Sequence, residues 1–161
     1  MANTRVLDPG YSNPYARIME AQSPMLTQLI YMSQPFGYDG ATLSGILSSA
    51  RRNNPRLGIT GALICRHDIY LQLLEGPPQS VDTLFQSISS DDRHLAVTLL
   101  HRADVDHRLF PEWAMLHDPA HSWHWSPDEV ASGAITEASP EVLRQVFQQA
   151  AADTSVAARQ I

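Results

Sequence analysis

Gln72 stands in the middle of IYLQLLEG (69–76), a run that otherwise reads as a buried strand. Strand residues alternate between faces, so Tyr70, Gln72 and Leu74 share one side and Leu71 and Leu73 the other. Both sides are apolar apart from the glutamine, and a buried amide left without a partner costs about 1–3 kcal/mol. In LIYMS (29–33), Leu29, Tyr31 and Ser33 share a face, which offers a phenol as one partner. In ARRNNPRLGITGAL (50–63), Asn53 and Asn54 continue the helical stripe Leu43, Ile46, Leu47, Ala50 and fall on or beside its inward face. Each residue alone has a plain structural reading. Asparagine can cap a helix C-terminus, a core tyrosine usually finds one hydroxyl partner, and Gln72 could bond a backbone carbonyl. Together, four polar groups would converge under apolar walls, with amide donors and acceptors side by side. That arrangement suits a flat ring bearing alternating carbonyl and N–H groups.

A second cluster points to different chemistry. LHDPAHSWHW (116–125) carries His117, His121 and His124 beside Asp118, the donor types of a metal-dependent hydrolase. Pro119 works against the single helix that would bring such ligands to one face, and solvent-exposed linker histidines are the simpler reading. Glu75, Asp91 and Asp92 are too scattered for acid–base catalysis. Cys65, the only cysteine, reads as a small buried hydrophobe. No metal site is therefore expected.

The elements that must position these residues follow from periodicity. MLTQLIYMS (25–33) is a strand. Residues 39–54 form an amphipathic helix, capped by Asp39 or Thr42 and ended by Pro55. GITGALICRHDIYLQLLEG (58–76) reads as a hairpin turning near Arg66, His67 and Asp68. A second helix opens after Pro77 and Pro78 and carries Val81, Leu84, Phe85 and Ile88. HLAVTLLHR (94–102) is a fourth strand, WAMLHD (113–118) a shorter fifth. Beyond lie a short helix after Ser126-Pro127 and a longer one from Pro140 to about Ala151. The order β-α-β-β-α-β-β predicts an α+β protein. It is a ferredoxin-like mixed five-stranded sheet with two helices on one face, plus C-terminal helices. Residues 1–24 read as a poorly ordered extension, 25–118 as the domain and 119–161 as a helical tail.

Composition narrows the chemistry. A net charge of −6 argues against a general nucleic-acid surface. No apolar run reaches a membrane span, no signal pattern opens the chain, and one cysteine excludes an internal disulfide. A cytoplasmic protein is expected. All eleven of its cations are arginines, so Schiff-base chemistry and a P-loop are excluded as they are normally built.

The motifs LIYMS, ARRNNPRLGITGAL, YLQLLEG, DDRH and FPEWAM, in this order and spacing, resemble the BLUF family of blue-light sensors that use FAD. The resemblance covers residues from about Leu26 to Asp118. It implies FAD, with FMN as an alternative, held with its isoalloxazine ring between the two helices. It implies that Tyr31 gives an electron and a proton to the photoexcited flavin, and that Gln72 bridges this tyrosine and the flavin edge. Asn54 matches the asparagine on the ring's C4 carbonyl and N3, and Asn53 its neighbour. Arg93 and His94 match positions near the ribityl and phosphate groups. Trp113 and Met115 match the fifth-strand pair thought to relay the signal, and alternation would put both on one face. Ala50 departs from the serine common in the family, so one ligand hydrogen bond is expected to be missing.

The resemblance implies a photoreceptor that switches without turnover. With only residues 119–161 following the domain, the expected output is a separate effector protein or a change in self-assembly, and a dimer or larger oligomer is expected. Val142, Leu143, Val146 and Phe147 form an apolar stripe that could pack on the sheet's open face or on that partner. The rival readings are the metal hydrolase and a flavin-free interaction module in which Tyr31 and Gln72 are core residues.

Overall fold

The structure, a computed structural model, describes residues 25–36, 40–66, 68–119 and 125–159. Its strands are β1 (Leu26–Pro35), β2 (Thr60–Arg66), β3 (Ile69–Gly76), β4 (His94–Val105) and β5 (Leu116–Asp118). Its helices are α1 (Gly40–Leu57), α2 (Pro78–Ser89), α3 (Pro127–Ala131), α4 (Ala134–Glu137) and α5 (Pro140–Arg159). The five strands lie in the order β4-β1-β3-β2-β5, antiparallel except for the parallel pair β2 and β5. This is the ferredoxin-like α+β arrangement expected from the periodicity.

Burial explains the order. Every residue of β3 is buried, as an apolar run with no polar face requires of an inner strand. On one face Leu29, Tyr31, Leu63 and Leu74 pack against Ile46 and Leu47 of α1 and Val81 of α2. The other face presents Ile30, Ile64, Leu71 and Leu73, covered by Leu143, Val146, Phe147 and Ala150 of α5. These tail residues follow the i, i+3, i+4, i+7 rule. Burying Leu143, Val146 and Phe147 is worth about 1.5–3 kcal/mol each. The tail stripe therefore closes the sheet's second face. At Gly61 a Cβ would stand 2.0 Å from the Leu73 carbonyl oxygen, so only glycine lets β2 lie this close to β3.

Five expectations need correction. Pro55 does not end α1, which continues to Leu57. A proline there forfeits its own hydrogen bond and crowds the carbonyl of Arg51, a cost the helix carries for the two residues that remain. The helix ends instead at Gly58, whose φ of +69° suits glycine. Gly58 N donates to Pro55 O at 3.3 Å and Ile59 N to Asn54 O at 3.0 Å, a Schellman closure. Because Gly58 supplies the left-handed cap, the Asn54 side chain is not needed there. The fifth strand is also shorter than expected, Leu116–Asp118 alone. The carbonyls of Trp113, Ala114 and Met115 go instead to Gly61 N, Asn54 Nδ2 and Arg51 Nε. Finally, α4 was not anticipated, β4 runs on to Val105, and α5 continues to Arg159.

The β4–β5 connection is tied down by Glu75, which is fully buried on the α5 side of the sheet. Its carboxylate accepts from Phe110 N at 2.7 Å, Leu109 N at 2.9 Å, Thr60 Oγ1 at 3.1 Å and Gln28 Nε2 at 3.3 Å. Arg108 adds bonds to Gly58 O, Thr60 Oγ1 and Glu75 O. Hydrogen bonds to a charged acceptor are worth about 1.5–3 kcal/mol each, against the cost of burying the charge. The Phe110 ring, placed by this grip, meets Phe147 of α5 edge-on with centroids 6.4 Å apart.

On the opposite edge, β1 and β4 slip register between Ile30 and Tyr31 and between Met32 and Gln34. Ala96, in β4, takes a φ of +50°.

Candidate functional site

Tyr31 and Gln72 are direct partners across β1 and β3. Both point to the face covered by α1 and α2, where the Tyr31 hydroxyl donates to Gln72 Oε1. Gln72 Nε2 donates in turn to Met115 Sδ at 3.2 Å. Tyr31 is fully buried, and burial first, with the negative charge of Asp91 second, drives its pKa far above the ordinary tyrosine value. The phenol therefore keeps its proton throughout the physiological range. The ring packs against Phe85 at 5.5 Å and His94 at 6.0 Å between centroids.

Beside this pair lies a cavity of about 190 Å³ between α1, α2, β3 and the start of β4. Ile46, Leu74, Leu84 and Ile88 give it apolar walls; Ser49, Asn53, Asn54, Gln72, Asp91, Arg93 and His94 give it polar groups. Asn54 is buried and donates from Nδ2 to Ala114 O at 2.9 Å, while its Oδ1 takes no donor among the described residues. Asn53 lines the cavity but is exposed, which places it at the mouth rather than on the buried face. Ala50 lines the same wall.

The rim is electrostatically closed on itself. Arg93 forks onto Asp91, with Nη2 to Oδ2 at 2.6 Å and Nε to Oδ1 at 3.0 Å, and Nη1 reaches Ser49 Oγ at 3.4 Å. The hydrogen bond from Arg93 holds the Asp91 carboxyl below its usual range, and Asp91 raises Arg93 in return. His94 is buried, its Nδ1 2.9 Å from Ser33 Oγ, and burial outweighs Asp91 to lower its pKa. Burial thus favours the neutral imidazole. Ser33, on the Tyr31 face, thus holds His94, and Asp91, one of the scattered carboxylates of the sequence, holds Arg93.

The donor set fits a flavin. An amide-rich wall suits the carbonyl and N–H edge of an isoalloxazine, aliphatic walls suit its faces, and the Arg93 end suits an anion. Comparison with known proteins decides the family. The BLUF model, described as sensors of blue-light using FAD, matches residues 26–116.

The chain belongs to the BLUF family.

The photoactivated adenylate cyclase subunit beta of Euglena gracilis is 38% identical over 92 residues, which cover 56% of this chain and 11% of that protein. The blue light- and temperature-regulated antirepressor BluF of Escherichia coli (strain K12) is 34% identical over 77 residues, 47% of this chain and 19% of that protein. The chain thus spans a small part of these curated relatives. Among solved structures, the dark state of BlrB, a BLUF protein, superposes with a TM-score of 0.69 at 29% identity. That match covers 81% of this chain and 98% of the BlrB chain.

Within this BLUF chain the expected Trp113–Met115 pair is split. Met115 is 1% exposed and faces Gln72, whereas Trp113 is 39% exposed. Strand alternation does not reach them, because β5 begins only at Leu116. His117 lies on β5, its pKa lowered by burial and then by Arg51, while His121 and His124 fall outside the described residues. Among the described residues no three His, Cys, Asp or Glu side chains group to hold a metal ion. Burial pushes the Cys65 thiol up to about 11, and Cys65 does not line the cavity. No described helix is long and apolar enough to cross a membrane.

Proposed function

We propose that this cavity binds FAD, FMN being the alternative, and that Tyr31 and Gln72 are its photoactive pair. The observation that carries the reading is the Tyr31–Gln72–Met115 chain of hydrogen bonds at a cavity whose wall also offers Asn54. When bound, flavin supplies a chromophore that becomes a strong oxidant on absorbing blue light. Tyr31 is the electron donor. It enters as a phenol, since burial suppresses the phenolate, and the proton it sheds on oxidation lies on its hydrogen bond to Gln72 Oε1. Gln72 then exchanges its own bonds. Its Nε2–H now goes to a thioether, a weak acceptor, so giving up that bond costs little.

Asn54 and Asn53 hold the ring's polar edge, one from the floor and one from the mouth. Arg93 and His94 stand at the end suited to the ribityl and phosphate groups. Trp113 and Met115 belong to the segment that carries the change outward. The chain switches and does not turn over substrate. Its output passes to another domain or protein, in keeping with the cyclase relatives, or to self-association as a dimer or larger assembly. A rearranged set of buried hydrogen bonds is enough to bias such a two-state element.

The test is an absorbance spectrum of the purified protein with FAD, in the dark and under blue light, with Gln72→Leu alongside. A small, reversible red shift that Gln72→Leu abolishes is expected. A protein that takes up no flavin, or a shift that survives in Gln72→Leu, would overturn the reading.

A further inference from the structure

The segment 109–115 connects the two faces of the sheet, and its ends are held in opposite ways. At one end the amides of Leu109 and Phe110 donate to the fully buried Glu75 carboxylate. Thr60 and Gln28 complete that carboxylate's shell, and Arg108 ties the approach to Gly58 and Glu75 backbone oxygens. At the other end the Met115 side chain meets Gln72 through a single N–H to sulfur contact, while Gly61 N, Asn54 Nδ2 and Arg51 Nε donate to the carbonyls of Trp113, Ala114 and Met115.

We propose that Glu75, braced by Arg108, is a positioning residue for the photoswitch: it is the fixed point that keeps Met115 waiting for the Gln72 amide to return. This rests on the reading of Tyr31 and Gln72 as the photoactive pair. Glu75 is three residues along β3 from Gln72 and on the opposite face, so it touches neither Gln72 nor Tyr31. Its influence runs through the backbone of the loop. An anchored loop returns the sulfur quickly to the same place after each excursion; a slack one reaches that place too, but only after a longer search. The anchor therefore governs how fast the dark arrangement re-forms and leaves the size of the light-induced change untouched.

Two measurements on the full chain with FAD test this. In the first, amide hydrogen exchange of the wild-type protein is followed in the dark and under blue light. Leu109 and Phe110 should stay protected in both states while Ala114 and Met115 change. Equal light-induced exchange at both ends would overturn the proposal.

In the second, recovery of the dark spectrum is timed for Glu75→Gln and for Arg108→Gln, the latter being the milder variant should the buried substitution fail to fold. The red shift should keep its size, and recovery should slow by about threefold or more in either variant. Recovery that is unchanged or faster, even with a lowered melting temperature, would make Glu75 a purely structural residue and overturn the proposal. A wild-type protein that shows no red shift would remove the photoswitch and this inference together. A normal wild-type shift with unaltered recovery in the variants removes this inference alone.

Discussion

Gln72 and Glu75 are two buried polar side chains on one strand, 3% and 0% exposed, and they face opposite layers of the protein. Glu75 takes four donors, two of them backbone amides, at distances from 2.7 to 3.3 Å. Gln72 is also satisfied, by a phenol on one side and a thioether on the other, but it borders a cavity and one of its partners is weak. Burial alone therefore says little about what a polar group is for. A group whose every lone pair is taken fixes backbone; a group held by exchangeable partners beside open space can change them.

Truncating the fixed member breaks the comparison most severely. Glu75→Ala leaves two buried amides and two side-chain donors without their acceptor. It should cost about 3–5 kcal/mol in chemical denaturation. A loss below about 1 kcal/mol would mean that water or a rearranged loop replaces the carboxylate.

His94 lies between the extremes, buried like Glu75 but lining the cavity like Gln72. Its folded pKa lies below the ordinary 6.5, with burial the chief cause. The unfolded chain therefore binds the proton first, and stability falls as pH drops from about 6.5 toward the folded value. His101 and His117 are lowered by burial as well and add to the same slope. Denaturation midpoints measured down from pH 7 should decline, with a shallower decline in His94→Gln. An equal slope in that variant would assign the effect to the other histidines.

The smallest effect is expected at Met115→Leu, which keeps volume and removes only the sulfur acceptor. Its stability should change by less than about 1.5 kcal/mol, while the dark spectrum of the flavin-loaded protein shifts as Gln72 seeks another partner. An unaltered spectrum would make the sulfur contact incidental.

The site was legible where the chemistry is local. A glutamine inside an apolar strand and a tyrosine on the matching face of another carry their own signal, and the strands pair Tyr31 directly with Gln72. The asparagine pair was read from helical spacing, and Asn54 reached the floor as that spacing requires. Asn53 did not, because one helical step turns its side chain about 100° away from that of Asn54, toward the solvent. Glu75 was illegible for a different reason. Its partners are main-chain amides some 35 residues away, and no side-chain pattern announces them. Trp113 and Met115 lie just before the fifth strand rather than on it, so strand alternation does not set their faces. Pro55 misled for another reason: the helix carries its cost for two more residues and closes where Gly58 takes a φ of +69°.

The outer edge of the sheet, β4, is twelve residues long, with Leu95 and Leu99 exposed along it. A straight strand of that length would be a template on which a neighbouring molecule could add its own strand. The left-handed turn at Ala96 and the two slips against β1 break it into short, differently twisted pieces. Arg102, closed on Asp82 of α2, sets a charged pair beside it. The irregularity thus acts as a guard against aggregation.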